Sequence, residues 1–336
     1  MYVMSHLSLY PSIGIFILLC LAVILIGRKL SYYADYLGEI TGIGKGFIGL
    51  FLLATLTSVP ELITSFSAVA FLKEPQLAGG NVFGSNCFNL VIIIVIAIWL
   101  KTLPRTKSYQ HLYNAIIINL ITVFIIFKYV CNEVFSHFFS LIVAIIIVFL
   151  YFSSLKITHS TERFEKEGEK KTDTNVKKIN FFYFKFFTAG VGIVIVSYLL
   201  TAVVDRISIL TGWGSSFGGF LLLAIATSLP ELSTTISSMK YDIDMAFGNI
   251  LGSNIFNPSI LALIKLFFPK VNIFSLLSES NILAALLSLL LLNGLIFYFY
   301  YPRRIKFFKK GWDIIPLLLI IIYFIGSYFV FKYSKL

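Results

Sequence analysis

The sequence predicts an all-α polytopic membrane protein whose ten transmembrane helices form two inverted five-helix repeats. Three observations predict it. The 336 residues are 58% hydrophobic and only 13% charged, whereas a soluble domain carries about 25% charged residues, and several apolar runs reach the ~20 residues that cross a bilayer as a helix. Basic residues alternate between abundant and scarce from one loop to the next, as they do in a chain threaded through a membrane. One long stretch also occurs twice, 170 residues apart.

Hydropathy places the spans near 9–27, 43–71, 77–100, 111–130, 135–155, 182–204, 216–239, 245–268, 281–301 and 313–331. Nothing basic precedes the first run and Arg28-Lys29 follow it, so it reads as a retained span and not a cleaved leader. Trp99, Trp213 and Trp312 sit near span ends, where amphipathic rings suit the interface. Cys20, Cys87 and Cys131 lie in or beside apolar runs with neither metal-knuckle nor disulfide spacing, and read as packing residues. Between the fifth and sixth spans lies a polar segment containing Thr161-Glu-Arg-Phe-Glu-Lys-Glu-Gly-Glu-Lys-Lys, too charged to bury a core and read as a solvated linker. The expected organisation is a first repeat over 1–155, a linker over 156–181 and a second repeat over 182–336.

The net charge of +11 invites a nucleic-acid partner, but its distribution excludes one. Alternate loops collect 20 of the 27 basic residues, among them Arg28, Lys29, Lys101, Lys240, Arg303 and Arg304 and the eight from Lys156 to Lys185. That bias puts the linker in the cytoplasm and both termini outside the cell membrane. Five spans on each side of the linker invert the second half relative to the first, an architecture common among secondary transporters.

The duplication can be counted. Residues 41–69 align without gaps on 211–239 with 15 of 29 positions identical, and Asp35 and Asp205 match ahead of them. Gly80-Asn-Val-Phe-Gly-Ser-Asn-Cys-Phe-Asn89 aligns on Gly248-Asn-Ile-Leu-Gly-Ser-Asn-Ile-Phe-Asn257 with 7 of 10 identical. Within the first block, Ala54-Thr-Leu-Thr-Ser-Val-Pro-Glu61 returns as Ala224-Ile-Ala-Thr-Ser-Leu-Pro-Glu231. Glu61 and Glu231 are the acidic residues deep inside spans; the other fourteen lie in loops or near span ends. A carboxylate at the middle of a membrane helix costs about 2.5–3.5 kcal/mol on insertion scales. No Lys, Arg or His lies deep in these two spans to offset that cost, which leaves a bound cation or a proton.

Spacing sharpens the reading. Thr57 and Ser58 precede Glu61 by four and three residues and share its helix face, and Thr227 and Ser228 stand likewise to Glu231. Hydroxyls and carboxylates form an all-oxygen donor set, suited to hard cations such as Ca²⁺ or Na⁺. Pro60 and Pro230 remove an amide donor and free the carbonyls of Leu56 and Ala226, tolerable at membrane depth where backbone is buried in protein or lines a cavity. Ser85 and Asn89 lie four apart, as do Ser253 and Asn257, while Asn86 and Asn254 point elsewhere. Ligation and interhelical hydrogen bonding are both open for these side chains. Gly80-x-x-x-Gly84 and Gly248-x-x-x-Gly252 read as close-packing notches. Asp242 and Asp244 fall in a short solvated loop.

With both blocks in view, the chain resembles the cation/calcium exchanger superfamily, in particular its archaeal and bacterial sodium/calcium exchangers. The resemblance is strongest over the two alpha-repeats, about 43–90 and 213–258, and extends to the plan of five plus five spans. It implies that carboxylates matching Glu61 and Glu231 bridge the ions. Hydroxyls matching Thr57, Ser58, Thr227, Ser228, Ser85 and Ser253 and backbone carbonyls matching Ala54 and Ala224 complete the sites, with Asn89 and Asn257 one turn beyond the serines. Some prokaryotic members carry Asp where this chain has Asn257. The function implied is exchange of Ca²⁺ for Na⁺ by alternating access, with the bilayer and the transported cations as partners, no cofactor, and one chain sufficient. H⁺ or K⁺ coupling, Mg²⁺ as substrate and a cation channel are the alternatives. An intramembrane enzyme is disfavoured, since no nucleophile motif or cofactor signature accompanies the glutamates.

Overall fold

The computed structural model describes residues 8–100, 109–131, 137–166, 176–211, 227–300, 306–307 and 312–334. Its helices are α1 (Leu9–Thr41), α2 (Lys45–Thr57), α3 (Val59–Phe71), α4 (Pro75–Trp99), α5 (Tyr109–Val130), α6 (His137–Lys166), α7 (Val176–Thr211), α8 (Leu229–Ser238), α9 (Ile243–Phe267), α10 (Glu279–Tyr300) and α11 (Ile314–Tyr333). Eight are long and apolar enough to cross a membrane, and α2 with α3 make a ninth, bent span. The tenth, span seven, is described from Thr227 onward. Its first half, with Ala224 and Trp213, lies outside the described residues. Among the described residues the fold is all-helical apart from a two-residue antiparallel pairing of β1 (Lys306–Phe307) with β2 (Trp312–Asp313) just before α11.

Three helices outrun their apolar stretches. The first continues past Arg28 and Lys29, both exposed, to Thr41. It stops at Gly42, whose φ of 70° is left-handed and whose N–H reaches the Gly38 carbonyl. Likewise α6 runs on to Lys166, and α7 begins at Val176, so both helices enter the 156–181 segment. Hydropathy marks where hydrocarbon ends, while a helix ends where its backbone is capped or broken.

The chain folds as two compact units, each drawing on both halves of the sequence. The first comprises Met1–Pro60 and Thr158–Ser253. Its core joins Leu30, Ala34 and Leu37 of α1 to Ile48 and Leu53 of α2, Phe186 and Ile193 of α7 and Met245 of α9. Backbones meet closely where α2 crosses α9. A Cβ on Gly49 would strike the Met245 carbonyl, one on Gly248 the Gly46 carbonyl, and one on Gly252 the Leu50 carbonyl. The notch predicted at Gly248 and Gly252 is therefore a contact with α2. A polar seam joins α1 to α8. Gly27 leaves room for Ser233, whose hydroxyl donates to the Ile24 carbonyl at 3.2 Å, and Ser31 donates to the Thr234 carbonyl at 3.1 Å. At the end of α1, Lys45 pairs with Asp35 at 2.6 Å.

The second unit comprises Glu61–Ile157 and Asn254–Leu336. Here Gly79 abuts Leu277 and Asn281; among the described residues a Cβ on Gly80 would meet Asn281 Nδ2 at 3.5 Å. On that side the neighbour of α4 is the start of α10. Gly294 and Gly326 pack α10 and α11 through Leu319 and Leu287. Among the described residues two lysines are fully buried. Lys265 donates to the carbonyls of Pro269 and Val271 at 2.7 and 3.1 Å, past the C-terminus of α9, and Lys128 donates to Ser275 Oγ at 3.3 Å. Each ammonium thus holds the turn between α9 and α10.

Candidate functional site

The two Thr-Ser-x-Pro-Glu stretches break their helices at the same residue. Ser58 has φ −91° and ψ 6°, and Ser228 has φ −95° and ψ 7°. Both lie in the sparsely populated bridge region where many functional residues sit. The cause is the proline two residues on. It offers no N–H and its ring presses on the carbonyl four residues back, so the turn before it opens. Between α2 and α3 the break bends the span by 41°. A π-helical stretch, Ile48–Leu53, precedes it, a distortion frequent near functional sites.

In the first unit these breaks surround Glu231, which is 1% exposed. Ser58 Oγ donates to Glu231 Oε1 at 3.1 Å, joining residues from the two alpha-repeats, and Thr57 also interacts with this carboxylate. Among the described residues Glu231 Oε2 has no hydrogen-bond partner, nor do the buried hydroxyls of Ser228 and Ser253. Thr57 Oγ1 lies 3.1 Å from the Leu53 carbonyl and 3.3 Å from that of Ala54, which also accepts the Ser58 N–H at 3.0 Å. Thr227 is buried at the start of the described part of span seven.

In the second unit Glu61 is fully buried, and Ser85 Oγ donates to its Oε1 at 3.4 Å. Asn89 and Asn257 are buried too. Their amide nitrogens donate to Asn254 Oδ1 and Asn86 Oδ1, each at 3.0 Å, while their own Oδ1 atoms have no partner among the described residues. Asn86 and Asn254 bond to each other's backbone: Asn86 Nδ2 to the Asn254 carbonyl at 3.0 Å and Asn254 Nδ2 to the Asn86 carbonyl at 3.2 Å. The structure thus brings together Ser58 with Glu231, Ser85 with Glu61, and Asn89 with Asn257 through two further asparagines.

Two supporting residues escaped the sequence reading. Asn81 donates to the Glu61 carbonyl at 3.1 Å and to Ser65 Oγ at 2.9 Å. Its repeat counterpart Asn249 donates to Thr234 Oγ1 and Thr235 Oγ1, both at 2.9 Å, and approaches the Glu231 carbonyl at 3.5 Å. Each holds the turn that carries a glutamate. Their signal was present, since Asn follows Gly in both copies of the second block. Asn249→Ala is expected to lower stability by about 1–3 kcal/mol, because it removes two hydrogen bonds to buried hydroxyls; a thermal melt in detergent checks this.

The donor set is oxygen throughout: carboxylate, hydroxyl and amide. Among the described residues no three His, Cys, Asp or Glu side chains gather at one point. Neutral oxygens with few carboxylates suit hard cations and give a thiophilic metal no ligand.

The model of the sodium/calcium exchanger protein family matches residues 11–158 and 181–332. The chain is 26% identical over 242 residues to the inner membrane protein YrbG of Escherichia coli, covering 70% of this chain and 74% of that one. It is 24% identical over 349 residues to the sodium/calcium exchanger MaX1 of Methanosarcina acetivorans, covering 89% and 92%. Among solved structures it resembles the sodium-calcium exchanger NCX_Mj soaked with 10 mM Na⁺, with a TM-score of 0.71 and 22% identity over 95% of this chain and 98% of that one. That likeness establishes a fold of ten helices in two repeats. The buried, duplicated glutamates and their hydroxyl neighbours stand on that fold, in a chain matched along both halves, and the protein belongs to the sodium/calcium exchanger family of membrane transporters.

Proposed function

We propose that this transporter exchanges Ca²⁺ for Na⁺ by alternating access. Glu61 and Glu231 ligate the transported cations, with oxygens of Thr57, Ser58, Ser85, Asn89, Thr227, Ser228, Ser253 and Asn257 and the backbone carbonyls of Ala54 and Ala224 completing their coordination. One observation carries the reading: Glu231 is buried at membrane depth with Oε2 lacking a partner among the described residues, and the Ser228 and Ser253 hydroxyls are in the same condition. An unpaired buried carboxylate costs several kcal/mol, and a cation offsets that cost. Na⁺ and Ca²⁺ compete for the same oxygens, so one leaves before the other binds, as antiport requires. The duplicated architecture supplies two similar conformations open to opposite sides.

The basic loops favour a cell-membrane orientation with both termini outside and the 156–181 linker in the cytoplasm, between repeats over 1–155 and 182–336. Both repeats lie in one chain, so a monomer suffices.

The test is flux in proteoliposomes. An outward Na⁺ gradient is expected to drive ⁴⁵Ca²⁺ uptake, whereas K⁺ or pH gradients alone are not, and excess Mg²⁺ is not expected to compete. Uptake driven by pH or K⁺ would reassign the coupling ion. Ca²⁺ flux with no ion required on the far side would make the protein a channel.

A further inference from the structure

We infer that Asn86 and Asn254 are positioning residues that lock the amides of Asn89 and Asn257 with their oxygens free to take a cation. The inference rests on the reading above that Asn89 and Asn257 are ligands. An asparagine amide can turn over about its last side-chain bond at little steric cost, exchanging a donor for an acceptor. A neutral amide ligates a cation only through its oxygen, so something must choose the orientation.

Donor and acceptor counting supplies the choice. Backbone carbonyls only accept. The nitrogens of Asn86 and Asn254 therefore face the carbonyls of Asn254 and Asn86, at 3.0 and 3.2 Å. Their Oδ1 atoms then lie on the other edge of each amide and can only accept. Asn257 meets Asn86 Oδ1, and Asn89 meets Asn254 Oδ1, each at 3.0 Å, so each must present its nitrogen. The oxygens of Asn89 and Asn257 are left on the opposite edge, buried and without a partner among the described residues. All four side chains are at most 1% exposed, so bulk solvent does not compete for these bonds. Interhelical bonding and ligation, open alternatives from the sequence, are here divided between the two ends of one amide.

The test is ⁴⁵Ca²⁺ binding and Na⁺-driven uptake by the full-length protein. Asn257→Ala, Asn86→Ala, Asn89→Ala and Asn254→Ala are each expected to weaken apparent Ca²⁺ affinity about tenfold. The double variant Asn86→Ala with Asn257→Ala is expected to match Asn257→Ala alone, because Asn86 acts through Asn257; Asn254→Ala with Asn89→Ala should behave likewise. The cross pair Asn86→Ala with Asn89→Ala is expected to multiply the two losses. Wild-type affinity in Asn86→Ala beside a weakened Asn257→Ala, or multiplied losses within the linked pairs, would overturn the inference alone, leaving a clamp that only lowers the melting temperature. Should Asn86→Ala not fold, Asn86→Asp keeps the acceptor for Asn257 while it loses the donor to Asn254 and brings a buried carboxyl group. Retained affinity with reduced stability is then expected, and lost affinity overturns the inference. No Ca²⁺ binding by the wild-type protein would overturn the functional reading and this inference together.

Discussion

Replacing Glu231 by Gln is expected to abolish Na⁺-driven Ca²⁺ uptake while making the cation-free protein more stable. The amide keeps the shape of the carboxylate, and its oxygen still accepts the hydrogen bond that Ser58 makes to Oε1 at 3.1 Å. What disappears is the buried negative charge, whose desolvation costs several kcal/mol without a partner. A gain of only ~1–2 kcal/mol would raise the melting temperature of the cation-free protein by roughly 2–8 °C. Saturating cation should stabilise the wild type by about 2.7 kcal/mol at a hundred times its Kd, and this increment should vanish in the variant. Loss of uptake of at least ~100-fold corresponds to about 2.8 kcal/mol of lost binding, within reach of one charged ligand. Uptake at the wild-type rate, or a cation-free variant that melts earlier, would refute the assignment of Glu231.

The second large effect is expected at Gly252. A Cβ there would fall on the Leu50 carbonyl and within 2.6 Å of the Ala54 methyl. Backbone cannot rotate aside as a side chain can, so α9 must move away from α2. Overpacking typically costs 1–3 kcal/mol, and Gly252→Ala should lie near ~3 kcal/mol, lowering the melting temperature by roughly 6–12 °C. Transport should fall further than stability, because α9 carries Ser253 and α2 carries Ala54 and Thr57. The control is Gly14→Ala, on the exposed side of α1, whose Cβ would meet nothing within 4 Å among the described residues. Substitutions without such a clash usually stay within ~0.5 kcal/mol. Equal behaviour of the two alanine variants in thermal melts and flux would refute the close-packing argument.

What the sequence disclosed and what it hid divide along a physical line. Glu61, Glu231 and their hydroxyl neighbours were legible because their relation is local, one helical turn, and because a carboxylate in an apolar run is conspicuous. Pro60 and Pro230 announced a break, and the structure places it at Ser58 and Ser228. Asn81 and Asn249 were overlooked because their purpose lies in partners on another helix, the Glu61 carbonyl and the hydroxyls of Ser65, Thr234 and Thr235. The close contact at Gly79 likewise depends on where Leu277 and Asn281 arrive. Arg28-Lys29 marked the edge of the hydrocarbon and not the end of α1, since solvent tolerates a charged helix as readily as a loop.

The ring of four asparagines has a consequence for how such a chain evolves after its gene has doubled. Usually the second copy is released from constraint and free to diverge. Here each copy supplies the acceptor that the other's amide requires, so a change in either is penalised by its twin. Selection therefore sees the positions as linked pairs, and a lineage that alters Asn257 must find compensation at Asn86 or forfeit the hydrogen bond. Identity retained between the halves of one polypeptide then becomes a record of which residues touch across the ancient duplication.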